Sequence, residues 1–226
     1  MSVAENLNTI KKNMAGYPAR LIAVTKTHPV ETLREAYEAG ARIFGENKVQ
    51  EMVDKWKQLP EDIQWHMIGH LQTNKVKPIA PFVSLIHSVD SFKLLLEINK
   101  QAGKAKRVID CLLQIHIATE ETKFGFSFQE AEAALHSEAL NGLQNVRIVG
   151  LMGMASNTED NIQVRMEFRG LKQFFDRMKA TVPQTDRCQL QELSMGMSGD
   201  YEAALQEGST LIRVGSAIFG AREYAE

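Results

Sequence analysis

The sequence predicts an α/β protein: a single (β/α)8 barrel of the TIM type with an additional N-terminal helix. Short apolar runs alternate with amphipathic helical patterns along the whole chain, eight of each when the opening helix is counted. Several runs, such as Leu21-Ile-Ala-Val24 and Ile148-Val-Gly-Leu-Met152, are apolar throughout rather than alternating. That marks strands buried on both faces and paired in parallel. A length of 226 residues suits one closed barrel, and no proline-rich or charge-rich linker divides it, so residues 1–226 read as one domain.

Residues 2–15 read as the opening helix, with Val3, Leu7, Ile10 and Met14 along one face. Leu21–Val24 is the first strand, ended by Thr25-Lys26-Thr27-His28-Pro29. Pro29 suits a helix start, and the helix from Val30 to Ala39 is closed by Gly40. A second strand over 41–47, a helix over 49–59, a third strand over 63–69 and a short helix over about 73–80 follow. The fourth strand is 83–89, with Asp90 or Ser91 capping a helix to about Ala102. The fifth, 108–117, leads into the polar loop 118–125 and a helix over 127–137. A sixth strand over 146–154, a long helix over 158–181, a seventh strand over 190–194, a helix over 200–207 and an eighth strand over 211–219 complete the pattern.

Net charge is −2, from 26 basic and 28 acidic side chains, which gives no general attraction to nucleic acid or to an anionic membrane. No secretory leader pattern opens the chain and no apolar run approaches the ~20 residues of a membrane span, so a cytoplasmic protein is expected. Cys111 and Cys188 have neither CxxC nor metal-site spacing and read as reduced, buried thiols. No histidine pair has the spacing of a zinc site, so no metal is expected. No long apolar helix face is left over, which points to a monomer. The charged faces of the helical segments 30–39, 47–59 and 158–181 read as solvated outer surface.

In such barrels functional groups collect at the C-terminal ends of the strands. Those positions carry Lys26, Asn47, Gly69 with His70, His87, Met152 to Ser156, Ser194 to Gly199 and Arg213 to Ser216, with no cluster of carboxylates. An ammonium at the mouth of an apolar barrel is partly desolvated, which frees the Lys26 amine to form a Schiff base. The plainer alternative is a lysine whose stem packs while its head reaches water. Two Gly/Ser turns, Ser194-Met-Gly-Met-Ser-Gly199 and Gly215-Ser216, offer backbone N–H groups to a phosphate. Phosphate plus Schiff base is how pyridoxal phosphate is held. Arg213 either makes an ion pair or points at a pyridine nitrogen, which a guanidinium would leave unprotonated and weakly electron-withdrawing. His66 is expected to point into the barrel and bond a neighbour. His87 and His70 stand nearer the mouth, while His28 shapes a turn and His116 and His136 read as structural or exposed.

In order along the chain, Ala23-Val-Thr-Lys26, Phe44-Gly-Glu-Asn47 with Gln50-Glu51, Trp65-His-Met-Ile-Gly69 with Leu71-Gln72 and Asn74-Lys75, Gly150-Leu-Met152, Leu193-Ser-Met-Gly-Met-Ser198 and Ile212-Arg-Val-Gly-Ser-Ala-Ile-Phe-Gly-Ala-Arg222 resemble the pyridoxal phosphate homeostasis protein family. The resemblance implies one barrel similar to the N-terminal domain of alanine racemases. It implies bound pyridoxal 5′-phosphate with no established turnover. It implies Lys26 as the Schiff-base lysine, Asn47 beside the ring's phenolic oxygen and Arg213 facing the pyridine nitrogen. Ser194, Met195, Gly215 and Ser216 would hold the phosphate, with His87 and Met152 lining the ring. Lys123, in the loop Thr119–Gly125, matches the family's Lys-x-Gly turn and would guard the pocket or offer a second amine. His70 receives no role.

Three functions compete. The first is a binding protein that buffers pyridoxal phosphate in vitamin B6 homeostasis and delivers it to apo-enzymes that depend on it. The second is a small racemase with Lys26 as one base and His87 as the other. Racemases of this type take their second base, a tyrosine, from another subunit's C-terminal domain; here the sequence stops at Glu226, shortly after the eighth strand, and no such domain is expected. The third is a class I Schiff-base aldolase acting on a sugar phosphate.

Overall fold

The apolar runs pair edge to edge in chain order, and the eighth returns to the first. A computed structural model, in which residues 2–120 and 124–220 are described, gives β1 (Arg20–Val24), β2 (Ile43–Glu46), β3 (Gln64–Met67) and β4 (Leu85–Val89). It continues with β5 (Ile109–Ile115), β6 (Val146–Gly153), β7 (Cys188–Ser194) and β8 (Leu211–Val214), all parallel in one closed barrel. The seam sets Leu21 opposite Ile212 and Ile22 opposite Arg213.

Helices cover the outside. α1 (Val3–Asn13) begins at a capping box in which the Glu5 amide donates to Ser2 Oγ and the Ser2 amide to Glu5 Oε2, and it buries Leu7 and Ile10. α2 (Val30–Glu38), α3 (Val49–Trp56), α4 (Phe92–Lys104), α5 (Phe128–Leu135), α6 (Glu138–Asn141), α7 (Asn161–Thr181), α8 (Tyr201–Gln206) and α9 (Ser216–Phe219) follow. Ser91, Ser127 and Asp160 cap α4, α5 and α7. None of the helices in the described residues is long and apolar enough to cross a membrane.

Side chains alternate along each strand, so the barrel has two cores. Phe44, Trp65, Phe168 and Met52 pack between strands and helices. Ile22, Leu85, Leu112, Val149, Met152 and Leu211 fill the interior. Burying each such side chain contributes about 1.5–3 kcal/mol. Gly150 stands where β6 shifts register against β7, and a Cβ there would fall 1.7 Å from the Glu192 carbonyl oxygen. Both cysteines are buried free thiols, with burial pushing Cys188 up to about 11.

Three local expectations need correction. The helix expected over 73–80 is only a 3-10 turn, Thr73–Lys75. Pro78 has no N–H to give and clashes with a carbonyl one turn back. The eighth strand stops at Val214, because Gly215 (φ −121°, ψ −77°) turns the chain into α9. The helix expected over 127–137 is present as α5, but the short α6 that follows it, capped by the Ser137 hydroxyl, was not expected.

Candidate functional site

Eight parallel strands deliver their C-terminal ends to one rim, and there a cavity of about 270 Å³ opens. Larger hollows lie against the outer helices and at the opposite end of the barrel, but this one collects residues from the ends of β1, β2, β6 and β8 and from the 194–199 turn. Val24 and Lys26, two residues apart at the end of β1, share its wall. Asn47 follows β2, and Gly69 after β3 passes so close that a Cβ there would sit 2.5 Å from the Asn47 carbonyl oxygen. Ile68 and Met154 provide apolar wall.

The far side is built by backbone. Gly196, at φ 93°, lets the 194–199 turn fold back onto β8, where the Arg213 amide donates to its carbonyl at 3.0 Å. Ser198 Oγ then accepts from the Gly215 amide at 3.0 Å and the Ala217 amide at 3.5 Å. Met197, Ser198, Gly199, Gly215 and Ser216 border the cavity on this side.

Arg213 forms the floor, only 4% exposed. Burial lowers it to about 10, so it stays charged at neutral pH. Nη1 donates to Ser194 Oγ at 2.6 Å and Nη2 to the Gly153 carbonyl at 3.1 Å. Below it, Ser194 Oγ lies 2.9 Å from His87 Nδ1, and His87 Nε2 lies 3.0 Å from His66 Nδ1. A guanidinium can only donate, so full satisfaction sends the Ser194 proton to His87 Nδ1. His87 Nε2–H then donates to His66. Burial, then the charges of His66, Arg213 and Arg20, hold His87 well below the usual imidazole range, and burial takes His66 to about 3. Both rings are therefore neutral, as this proton order requires.

Of the residues expected at the site, Lys26, Asn47, Arg213, Gly215 and Ser216 border this one cavity. The others are elsewhere. His87 and Ser194 lie beneath the guanidinium, fully buried. Met152 packs in the interior core. Met195 is buried, and its amide is spent on the Leu211 carbonyl and Ser209 Oγ. Lys123 lies outside the described residues. His66 points inward as expected; His70 sits outside the cavity wall, paired with Asp90 and stacked on Phe124.

Met154 and Met197, methionines expected at strand ends and suited to van der Waals contact with a flat ring, line the cavity. So do Ser198 and Gly199 of the turn expected to offer N–H groups, though neither of these two was named individually as a ligand. Met154 lies two positions beyond Met152 on β6, and Ser198 closes the Ser-Met-Gly-Met-Ser motif. A larger correction concerns helix 49–59, whose charges are not all solvated: Lys55 is 5% exposed and donates to Glu46 Oε1 at 2.7 Å. Burial raises Glu46 to about 7, with Lys55 pulling the other way, and Glu46 Oε2 is buried without a partner.

An amine, a donor-only guanidinium and a turn of small residues thus meet on the rim of a parallel barrel, and similarity to known proteins gives the class of this barrel. A family model described as alanine racemase, N-terminal domain, matches residues 1–223. The chain is 40% identical over 207 residues to the pyridoxal phosphate homeostasis protein of Aquifex aeolicus, covering 91% of this chain and 88% of the relative. The chain belongs to the pyridoxal phosphate homeostasis protein family. Among solved structures, PipY of Synechococcus elongatus PCC7942 with PLP bound superposes with a TM-score of 0.86 at 36% identity, covering 97% of this chain and 100% of PipY. Without PLP the TM-score is 0.90 at 37% identity, with the same coverage. Alanine racemase from Bartonella henselae has the same fold, with a TM-score of 0.73 at 18% identity over 97% of this chain and 58% of that one.

Proposed function

We propose that this chain holds pyridoxal 5′-phosphate as a Schiff base on Lys26 and buffers or delivers it in vitamin B6 homeostasis, without turnover of its own. The supporting observation is the convergence of Lys26 and Arg213 on one cavity whose rim is a turn of small residues. The residues fit the cofactor. Gly215 lets the chain turn close against β1 at the cavity edge, since a Cβ there would crowd the Val24 carbonyl at 3.2 Å. Ser198, Gly199 and Ser216 border the cavity with hydroxyl and backbone groups that would serve a phosphate. The Gly215 amide is already engaged on Ser198 Oγ, as the Met195 amide is on Ser209 Oγ.

The cofactor supplies an electrophilic aldehyde. Lys26 would hold it through its amine, a condensation that would form one C=N bond and release one water. Arg213, at the cavity floor, would donate toward the ring nitrogen without protonating it, which would leave the ring a poor electron sink. Asn47, which borders the same cavity as Lys26, would be the residue beside the phenolic oxygen. PipY, solved with PLP bound, and the names of the relatives agree with this reading. Racemisation needs a second acid/base, and the group the sequence offered among the described residues, His87, is shut behind Ser194 beneath the guanidinium.

Purified protein mixed with pyridoxal phosphate should absorb as an imine, and borohydride should fix the ligand to the peptide containing Lys26. Lys26→Ala should lose that adduct. Reduced ligand mapped to a different residue refutes the assignment, and α-deuterium washout from amino acids at enzymatic rates refutes the absence of turnover.

A further inference from the structure

Three charged residues outside the cavity wall grip the turn that carries Lys26. We propose that Lys55, Glu46 and Glu51 are a positioning cluster that sets where Lys26 and Asn47 stand in the cavity; this rests on the Schiff-base reading. Lys55 Nζ donates to the Thr25 carbonyl at 2.6 Å and to Glu46 Oε1 and Glu51 Oε1, each at 2.7 Å. All three of its N–H groups are used. Thr25 Oγ1 donates to Glu46 Oε1 and the Thr27 amide donates to Glu51 Oε1, each at 2.5 Å. The residues on both sides of Lys26 are thus tied to one cluster. Glu46 is also the covalent neighbour of Asn47, so the same grip fixes the cavity wall at β2.

Thr27 shows why a grip is needed. It adopts φ 68°, a left-handed conformation that a β-branched residue takes only when its surroundings impose it. Glu51 supplies that restraint through the Thr27 amide. Lys55 supplies a second through the Thr25 carbonyl, which also accepts the His28 amide at 3.2 Å. A mere brace between α3 and the barrel would be replaceable by an apolar pair of similar volume with no effect at Thr27 or Lys26.

The test uses the full chain with Lys55→Met/Glu46→Gln, which removes the buried charges together. Glu51→Ala, at a side chain 23% exposed, serves where the double variant does not fold. Amide exchange at Thr27 is measured without ligand. Borohydride-trapped adduct is measured at fixed pyridoxal phosphate, alongside affinity for pyridoxine 5′-phosphate, an alcohol that cannot form the imine. We expect Thr27 exchange to speed up about tenfold and adduct yield to fall about tenfold, with pyridoxine 5′-phosphate affinity changing less than about threefold. Wild-type adduct yield in either folded variant overturns the proposal, whether or not Thr27 exchange has changed. A wild-type adduct on another residue sinks the Schiff-base reading alone, because exchange at Thr27 still reads whether the cluster fixes the turn.

Discussion

Acid should unfold this barrel partly through His66. The ring is wholly inside the barrel, its Nδ1 3.0 Å from His87 Nε2, and burial moves it from 6.5 to about 3. A lowered folded-state value means that the unfolded chain binds the proton first, so stability present above pH 6.5 is lost as pH falls toward 3. At pH 5 the loss is about 2 kcal/mol, from about 1.4 kcal/mol per pH unit below 6.5. Glu46 acts in the opposite sense: raised from 4.5 to about 7, its contribution grows as pH falls through that range. The wild-type curve alone therefore mixes two trends, and the comparison with His66→Gln isolates one. Glutamine keeps an amide that can accept from His87 but has no proton to gain. Urea unfolding of both proteins at pH 7 and pH 5 should show the wild type losing about 2 kcal/mol relative to the variant at the lower pH. An unchanged difference between the two proteins would show that His66 is not held neutral, and the proton order from Arg213 to His66 would fall with it.

Glu46→Gln should have the reverse signature. Relative to the variant, the wild type should lose about 3 kcal/mol between pH 4.5 and 7.5 in the same urea assay, since its raised carboxyl favours the fold only while protonated. Gly150→Ala would place a methyl 1.7 Å from the Glu192 carbonyl oxygen, so β6 and β7 must part; a loss beyond about 4 kcal/mol, read from the urea midpoint, is expected. Ser198→Ala leaves the Gly215 and Ala217 amides without their acceptor, and should cost about 1 kcal/mol of stability. The same variant should weaken pyridoxal phosphate binding about tenfold by fluorescence titration, because the phosphate turn loses its tie to α9.

Sequence pattern carried the barrel because apolar runs buried on both faces have few other solutions at this strand count. It failed where local chemistry overrode periodicity, at Pro78 in the expected helix and at Gly215 inside an apolar run. Within the site, Lys26, Asn47, Arg213, Gly215 and Ser216 were legible because each stands at or just past a strand end. Ser194 and Met195 were not separable from Ser198 and Gly199 by sequence. All four lie in one small-residue turn, and only the positive φ of Gly196 decides which half faces the cavity. Lys55 was invisible for another reason. A lysine in an amphipathic helix reads as solvated, and nothing in α3 announces that Glu46 waits on the neighbouring strand.

The interior of this barrel is polar where apolar filling would have been more stable. A guanidinium, a hydroxyl and two imidazoles stack through it, and each would cost several kcal/mol if its neighbour were removed. The stack has a direction, and the direction comes from Arg213. Because the arginine cannot accept, every hydroxyl and ring below it must pass its proton downward, away from the cavity. No acid in the described part of this stack can therefore return a proton to a ring lying on Arg213. A histidine in direct contact with the cavity would have been a base for amino-acid chemistry. Placed two hydrogen bonds below the guanidinium and desolvated, His87 instead fixes, through Ser194, the orientation of the Arg213 guanidinium at the cavity floor.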